Sequence, residues 1–95
     1  MYCLYILECA DRTLYTGITV NVRRRVGEHN ASTRGAKYTR SRRPVTLVYS
    51  KKFRSRAAAS KEEFRIKTLS RLDKLVLVKK QSLILRRLLR RPASQ

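Results

Sequence analysis

Acidic residues are scarce in this chain. Its 95 residues include 6 Asp and Glu against 24 Lys and Arg, a formal charge of +18. An excess of that size opposes compaction and is relieved by a polyanion, so phosphate is the expected partner chemistry. Cysteine is nearly absent as well. Cys3 and Cys9 are too few for a disulfide scaffold. On one strand they would stand about 20 Å apart at ~3.3 Å per residue, beyond bridging reach. Reduced thiols in a cytoplasmic setting are therefore expected. His29 is the only histidine, and with two thiols it cannot complete a structural zinc site. The chain has no uncharged apolar run of about 18 residues, so it has no membrane-spanning helix. The apolar start, residues 1–11, lacks a basic leader and a small-residue cleavage site and reads as a strand. There is no Walker-type glycine loop and no internal repeat.

Hydrophobic residues make up 42% of the chain, too many for a disordered basic tail, and its length suits one domain with one modest core. Residues 2–8 form a continuous β-prone run, and Leu14 to Val20 form a second. The turn between them, Ala10 to Thr13, makes the pair a hairpin. Asn21 is a suitable N-cap for a helix over 22–30, with Val22 and Val26 facing inward at i, i+4. Gly27 costs that helix about 1 kcal/mol. Residues 31–44 are polar, with five basic residues and no acid. Pro44 precedes a third strand over Val45 to Lys52. Ser55 caps a helix reaching about Leu69. Ser70 with Asp73 resembles a capping box ahead of an amphipathic helix carrying Leu72, Leu75, Val76 and Lys79. From Ser82 to Arg91 leucine clusters alternate with Arg86, Arg87, Arg90 and Arg91, and Pro92 ends the run.

The expected fold is α/β (α+β): a small three-stranded antiparallel sheet flanked by helices, in the order β-β-α-β-α-α with an additional basic C-terminal helix. The expected division is a main domain over 1–80 and a basic amphipathic extension over 81–95. The leucines of that extension either close the core or serve a membrane surface or partner. Packing combined with nucleic-acid contact is the favoured reading.

An ordered set of residues resembles the GIY-YIG nuclease superfamily, in particular its small stand-alone bacterial members. Cys3-Leu4-Tyr5 stands at the first motif and Tyr15-Thr16-Gly17 at the second. Arg25 and His29 follow Gly17 by eight and twelve residues, and Glu63 opens Glu-Phe-Arg-Ile-Lys. The resemblance runs from about residue 2 to 80. No Asn occurs from Thr68 to Lys80, where larger family members carry one.

The resemblance implies a metal-dependent endonuclease that hydrolyses DNA phosphodiesters. Cutting would be structure-sensitive rather than sequence-specific, in the setting of DNA repair or recombination. It implies Glu63 as the metal ligand, for one Mg²⁺ or Mn²⁺, a role that one carboxylate plus waters and substrate phosphate can fill. The bland reading of Glu63 is a helix acid paired with Lys67 at i+4. Its neighbour Glu62 points about 100° away around the helix. By resemblance Arg25 stabilises the scissile phosphate, and His29 orients a tyrosine hydroxyl or relays a proton. Tyr5 or Tyr15 takes the proton of the attacking water, directly or through the other. The two phenols share a face only if hairpin pairing sets residues of equal parity opposite each other, which needs an odd-length loop or a bulge.

Gly17 is expected to permit close approach of substrate or of the following helix, or else to form a strand-end bulge. Arg34, Lys37, Arg40, Arg42 and Arg43 would track a phosphate backbone, with Tyr38 stacking on a base or on the core. The expected partner is nucleic acid, DNA ahead of RNA; protein partners are left open. The alternative is a non-catalytic nucleic-acid-binding module on the same scaffold.

Overall fold

A computed structural model of the chain describes residues 1–89. The expected α+β order is present. Strands β1 (Tyr2–Glu8) and β2 (Leu14–Thr19) lead to helix α1 (Val22–Ala31) and a short helix α2 (Lys37–Arg40). Strand β3 (Thr46–Phe53), α3 (Arg56–Lys67) and α4 (Arg71–Leu89) follow. The sheet order is β2-β1-β3, antiparallel throughout, so the most apolar strand lies in the middle.

Alternation along β1 splits the core in two. Leu4 and Ile6 join Tyr49 and Ile66 of α3 on one face, with Leu69 just after that helix and Leu77 and Val78 of α4 packed against them. Tyr5, Leu7 and Cys9 join Val45 on the other, against Val22 and Val26 of α1. Both sheet faces are thus covered, as a central strand without polar alternation requires. A bulge between Ile6 and Leu7 skips one residue of β3, moving the partner from Tyr49 to Leu47.

The helix starts are set by side chains. Asn21 accepts from the Arg24 N–H at 3.0 Å, Ser55 from Ala58 at 3.1 Å and Ser70 from Asp73 at 3.1 Å. The end of α1 is closed by Arg43, whose guanidinium donates to the carbonyls of His29, Glu28 and Ser32. The side chain of Asn30 binds the N–H and C=O of Val45 at 2.7 and 3.0 Å, tying α1 to the start of β3. On the far side Gln81 of α4 accepts from the Ser50 N–H at 3.0 Å and donates to its C=O at 2.8 Å. Ser50 lies on an edge strand, so Gln81 stands where a neighbouring strand would.

The basic tail differs from expectation. Residues 82–89 continue α4 without a break instead of starting another helix. Leu83, Ile84, Leu85 and Leu88 are more than half exposed, so they do not close the core. The α4 residues packed against the buried core are Leu77 and Val78. Arg90, Arg91 and the expected stop at Pro92 lie outside the described residues. Among the described residues no helix is long and apolar enough to cross a membrane, and both cysteines are free thiols.

Candidate active site

The β1–β2 register opposes Tyr5 to Gly17 and Leu7 to Tyr15. Paired residues therefore have equal parity, and the five-residue loop 9–13 supplies the odd length this needs. Both tyrosines project to the α1 side, with ring centroids 6.5 Å apart. Gly17 has a role the sequence did not suggest. A Cβ there would lie 2.6 Å from the Tyr5 hydroxyl and 2.8 Å from its Cζ. Gly17 makes room for the Tyr5 ring, and it forms no bulge, since the β1–β2 pairing runs through it without a shift.

Tyr5 and His29 are both buried, and Tyr5 Oη meets His29 Nε2 at 2.9 Å. The other ring nitrogen, Nδ1, lies 2.9 Å from Thr39 Oγ1 and 3.3 Å from the Ala36 amide nitrogen. Burial, then the neighbouring Arg25 and Arg43 charges, lower the His29 pKa to about 4, so its ring is neutral at pH 7. Burial raises Tyr5 to about 12. Arg25 opposes that shift, while the neighbouring Tyr15 and Glu63 add to it. Glu63 on α3 is therefore within electrostatic reach of the Tyr5 hydroxyl.

Arg25 and His29 share one face of α1. Arg25 Nη1 donates to Glu28 Oε1 at 2.9 Å and to the Arg34 carbonyl at 2.7 Å. This ion pair holds the Glu28 carboxyl below its usual range. Tyr15 presents an edge contact to His29 at 5.2 Å, and Tyr38 stacks on Tyr15 at 6.0 Å. Arg42 covers the outer face of Tyr38 at 3.9 Å and pairs with Asp11 of the hairpin loop at 3.0 Å. Tyr38 thus stacks on the tyrosine site itself.

The two adjacent acids of α3 diverge as helical geometry requires. Glu62 makes two hydrogen bonds to Arg65, at 2.8 and 2.6 Å, and lies on the Tyr49 side. Glu63 pairs with Lys67 at 3.2 Å and keeps about a quarter of its side chain exposed. No group of three or more His, Cys, Asp or Glu that could hold a metal occurs among the described residues. An all-protein metal cage is thereby excluded there. One accessible carboxylate suits Mg²⁺ or Mn²⁺, which retain waters and take oxygen from phosphate.

The basic residues of 34–43 divide into two sets. Arg34, Lys37 and Arg40 are exposed and have no ion-pair partner among the described residues. Arg42 and Arg43, expected to follow a phosphate backbone, are engaged inside the protein by Asp11, Tyr38 and the end of α1. Three contributors escaped sequence reasoning: Thr39, Glu28 and Asn30. Only Glu28 left a trace, three residues after Arg25 on the same helix.

Because His29 is neutral when folded and has an ordinary value of 6.5 when unfolded, the unfolded chain binds the extra proton as pH falls. The stability tied to neutral His29 is complete above pH 6.5 and is lost progressively toward pH 4. The full shift corresponds to ~3 kcal/mol. Urea unfolding at pH 7 and at pH 4.5 should show this loss in the wild type and little of it in His29→Gln.

The sequence profile of the GIY-YIG catalytic domain matches residues 1–75. A UPF0213 protein of Desulfotalea psychrophila is 60% identical over 76 residues, 80% of this chain and 69% of that protein. A UPF0213 protein of Halobacterium salinarum is 53% identical over 77 residues, 81% of this chain and 99% of that one. The solution structure of a UPF0213 protein from Bacillus halodurans superposes with a TM-score of 0.54 at 48% identity, covering 83% of this chain and 84% of that one. That of a protein from E. faecalis gives 0.59 at 42% identity, covering 86% of each.

Proposed function

The chain belongs to the GIY-YIG catalytic domain family, and from that premise we propose that it is a divalent-metal-dependent endonuclease that hydrolyses DNA phosphodiesters. Family membership implies nuclease-type chemistry. The observation that carries the assignment to this site is the convergence of Tyr5, Tyr15, Arg25 and His29 on one sheet face, with Glu63 close enough to raise the Tyr5 pKa.

The residues divide the work by chemistry. Arg25, permanently charged and already anchored by Glu28, holds the scissile phosphate and offsets charge as the pentavalent state forms. Tyr5 accepts the proton of the attacking water. Its raised pKa keeps it neutral at rest, so its ionisation depends on the positive charge gathered once substrate is bound. Tyr15, packed between His29 and Tyr38, shapes the floor beneath the phosphate. Glu63 would hold the ion, whose chemistry is to neutralise phosphate charge and favour ionisation of nearby hydroxyls. Arg34, Lys37 and Arg40 contact flanking phosphates without reading sequence, which supports structure-sensitive cutting. Repair or recombination in the cytoplasm is the setting this reading favours.

One observation favours the non-catalytic alternative: Glu63 is already paired with Lys67. Metal dependence separates the two readings. Plasmid, single-stranded and branched DNA, and RNA of matching structure, should be incubated with Mg²⁺ or Mn²⁺, with and without excess chelator. The nuclease reading expects cutting that chelation stops and metal restores. Retention of nucleic acid on the protein without cleavage under every condition would establish a binding module.

A further inference from the structure

Six ion pairs occur among the described residues. Five join residues three or four apart in sequence, and only Asp11–Arg42 joins distant ones. In a chain with 6 acids and 24 basic residues, that placement calls for a reason. Stability does not supply one. Arg42 keeps 33% and Asp11 46% of its side-chain surface exposed, and a pair so wetted contributes little.

The contacts of Arg42 lead instead to Tyr15. Its Nε donates to Asp11 Oδ2 at 3.0 Å, and its Nη1 donates to the Tyr38 carbonyl at 2.8 Å. These two anchors hold the guanidinium over the Tyr38 ring, with Cζ 3.9 Å from the centroid. Tyr38 stacks on Tyr15 at 6.0 Å, and Tyr15 in turn meets His29 at 5.2 Å. Asp11 is itself fixed. The amide and the hydroxyl of Thr13 donate to its other oxygen. Those bonds, then Arg42, hold the Asp11 carboxyl below its usual range, so it is charged at pH 7. The Ala10 amide also donates to the Arg42 carbonyl at 2.9 Å. The loop that leads into Tyr15 therefore also holds, through Arg42, the ring that stacks on Tyr15.

We propose that Asp11 and Arg42 are positioning residues for the nuclease site, clamping Tyr38 onto Tyr15 so that the Tyr15 ring keeps one orientation beside His29 and Tyr5. Asp11 also keeps Arg42 from the substrate. An unpaired arginine at the edge of a basic site turns outward to a phosphate. Held on Tyr38, Arg42 stays part of the wall of the site.

The catalytic meaning of the clamp rests on the nuclease reading; the clamp itself does not. Asp11→Asn offers one acceptor oxygen in place of two, so it cannot serve Thr13 and Arg42 together, and it removes a negative charge. If Arg42 were a phosphate contact, this variant would bind DNA more tightly and cut at least as fast. The clamp expects affinity held or raised while turnover falls about threefold to tenfold, because Tyr15 loses its orientation. Arg42→Lys keeps the charge but lacks the planar fork that reaches both anchors, and it should lose turnover to a similar extent. The chain has five Tyr and no Trp, so near-ultraviolet circular dichroism of the full chain reports tyrosine order without any substrate. Both variants should weaken that signal. Asp11→Asn added to Tyr38→Leu should lower neither signal nor turnover further, since the line of contacts is already cut. A wild-type spectrum in both single variants would overturn the clamp, as would turnover in Asp11→Asn equal to or above wild type, or a further loss in the double variant. A protein that cuts nothing yet loses tyrosine order in these variants would refute the nuclease and leave the clamp standing.

Discussion

Glu63→Gln should reduce metal-dependent cleavage at least about 10²–10³-fold, the usual effect of deleting one group that stabilises phosphate charge, while Glu62→Gln cuts at close to the wild-type rate. The two acids are adjacent in sequence and equal in chemistry, so the pair controls for charge, helix propensity and general electrostatics. Only their direction differs. Glu62 is held by two hydrogen bonds from Arg65 on the Tyr49 side. Glu63 is paired only with the flexible Lys67 and acts on Tyr5. The Gln variant keeps the shape and loses the anion. Affinity for DNA, measured without metal, should hold or rise in Glu63→Gln because one repulsive charge is gone. Equal loss in both variants would mean that neither acid is a specific ligand. Equal retention would mean that the activity lies elsewhere.

Gly17→Ala should damage both stability and catalysis. The backbone there is ordinary, so the problem is space. The new methyl would sit 2.6 Å from the Tyr5 hydroxyl and 2.8 Å from its Cζ, inside contact distance. The Tyr5 ring is rigidly enclosed and its oxygen is held by His29, so it cannot swing away cheaply. Overpacking of this kind costs about 1–3 kcal/mol. A phenol displaced by an ångström should lose about 10²-fold in rate. Gly27→Ala is the natural comparison. Its added methyl meets nothing within 4 Å, and it lies inside α1. It should stabilise the protein by roughly 0.5–1 kcal/mol and leave cleavage unchanged. Urea unfolding and a plasmid-nicking assay on the two variants decide the matter; a Gly17→Ala protein as stable and active as wild type would refute the account of why glycine stands there.

The strands and three of the helices were legible in the sequence for local reasons. A β-prone run with no polar alternation has to be a covered strand. Asn21, Ser55 and Ser70 each satisfy an amide three residues ahead, which needs no knowledge of the rest of the molecule. The shared face of Tyr5 and Tyr15 was legible only as a condition, because loop length sets parity but a bulge can reverse it. The α2 turn was not legible. Residues 31–44 carry no hydrophobic period, and Thr39 acquires its meaning from a ring ten residues away. Arg42 and Arg43 read as phosphate contacts because charge is visible in sequence, whereas engagement with a helix end or a tyrosine ring depends on the finished fold. The leucines of the tail misled for a related reason. Their pattern continues that of α4, but their exposure depends on the finished fold.

The clasp of Gln81 on Ser50 bears on how one edge of the sheet is guarded against strand addition. An uncovered rim of backbone donors and acceptors invites any extended segment to zip onto it, and β3 is such a rim. One glutamine amide, delivered from a helix, occupies both groups of the residue where an intruding segment would have to bond. Lys51 and Lys52 follow at once, so growth past that point would also bring cations together. The face proposed to meet nucleic acid and the guarded β3 rim are thus separate. The first can stay open to a long, flexible polyanion while the second is guarded at Ser50 against an added strand.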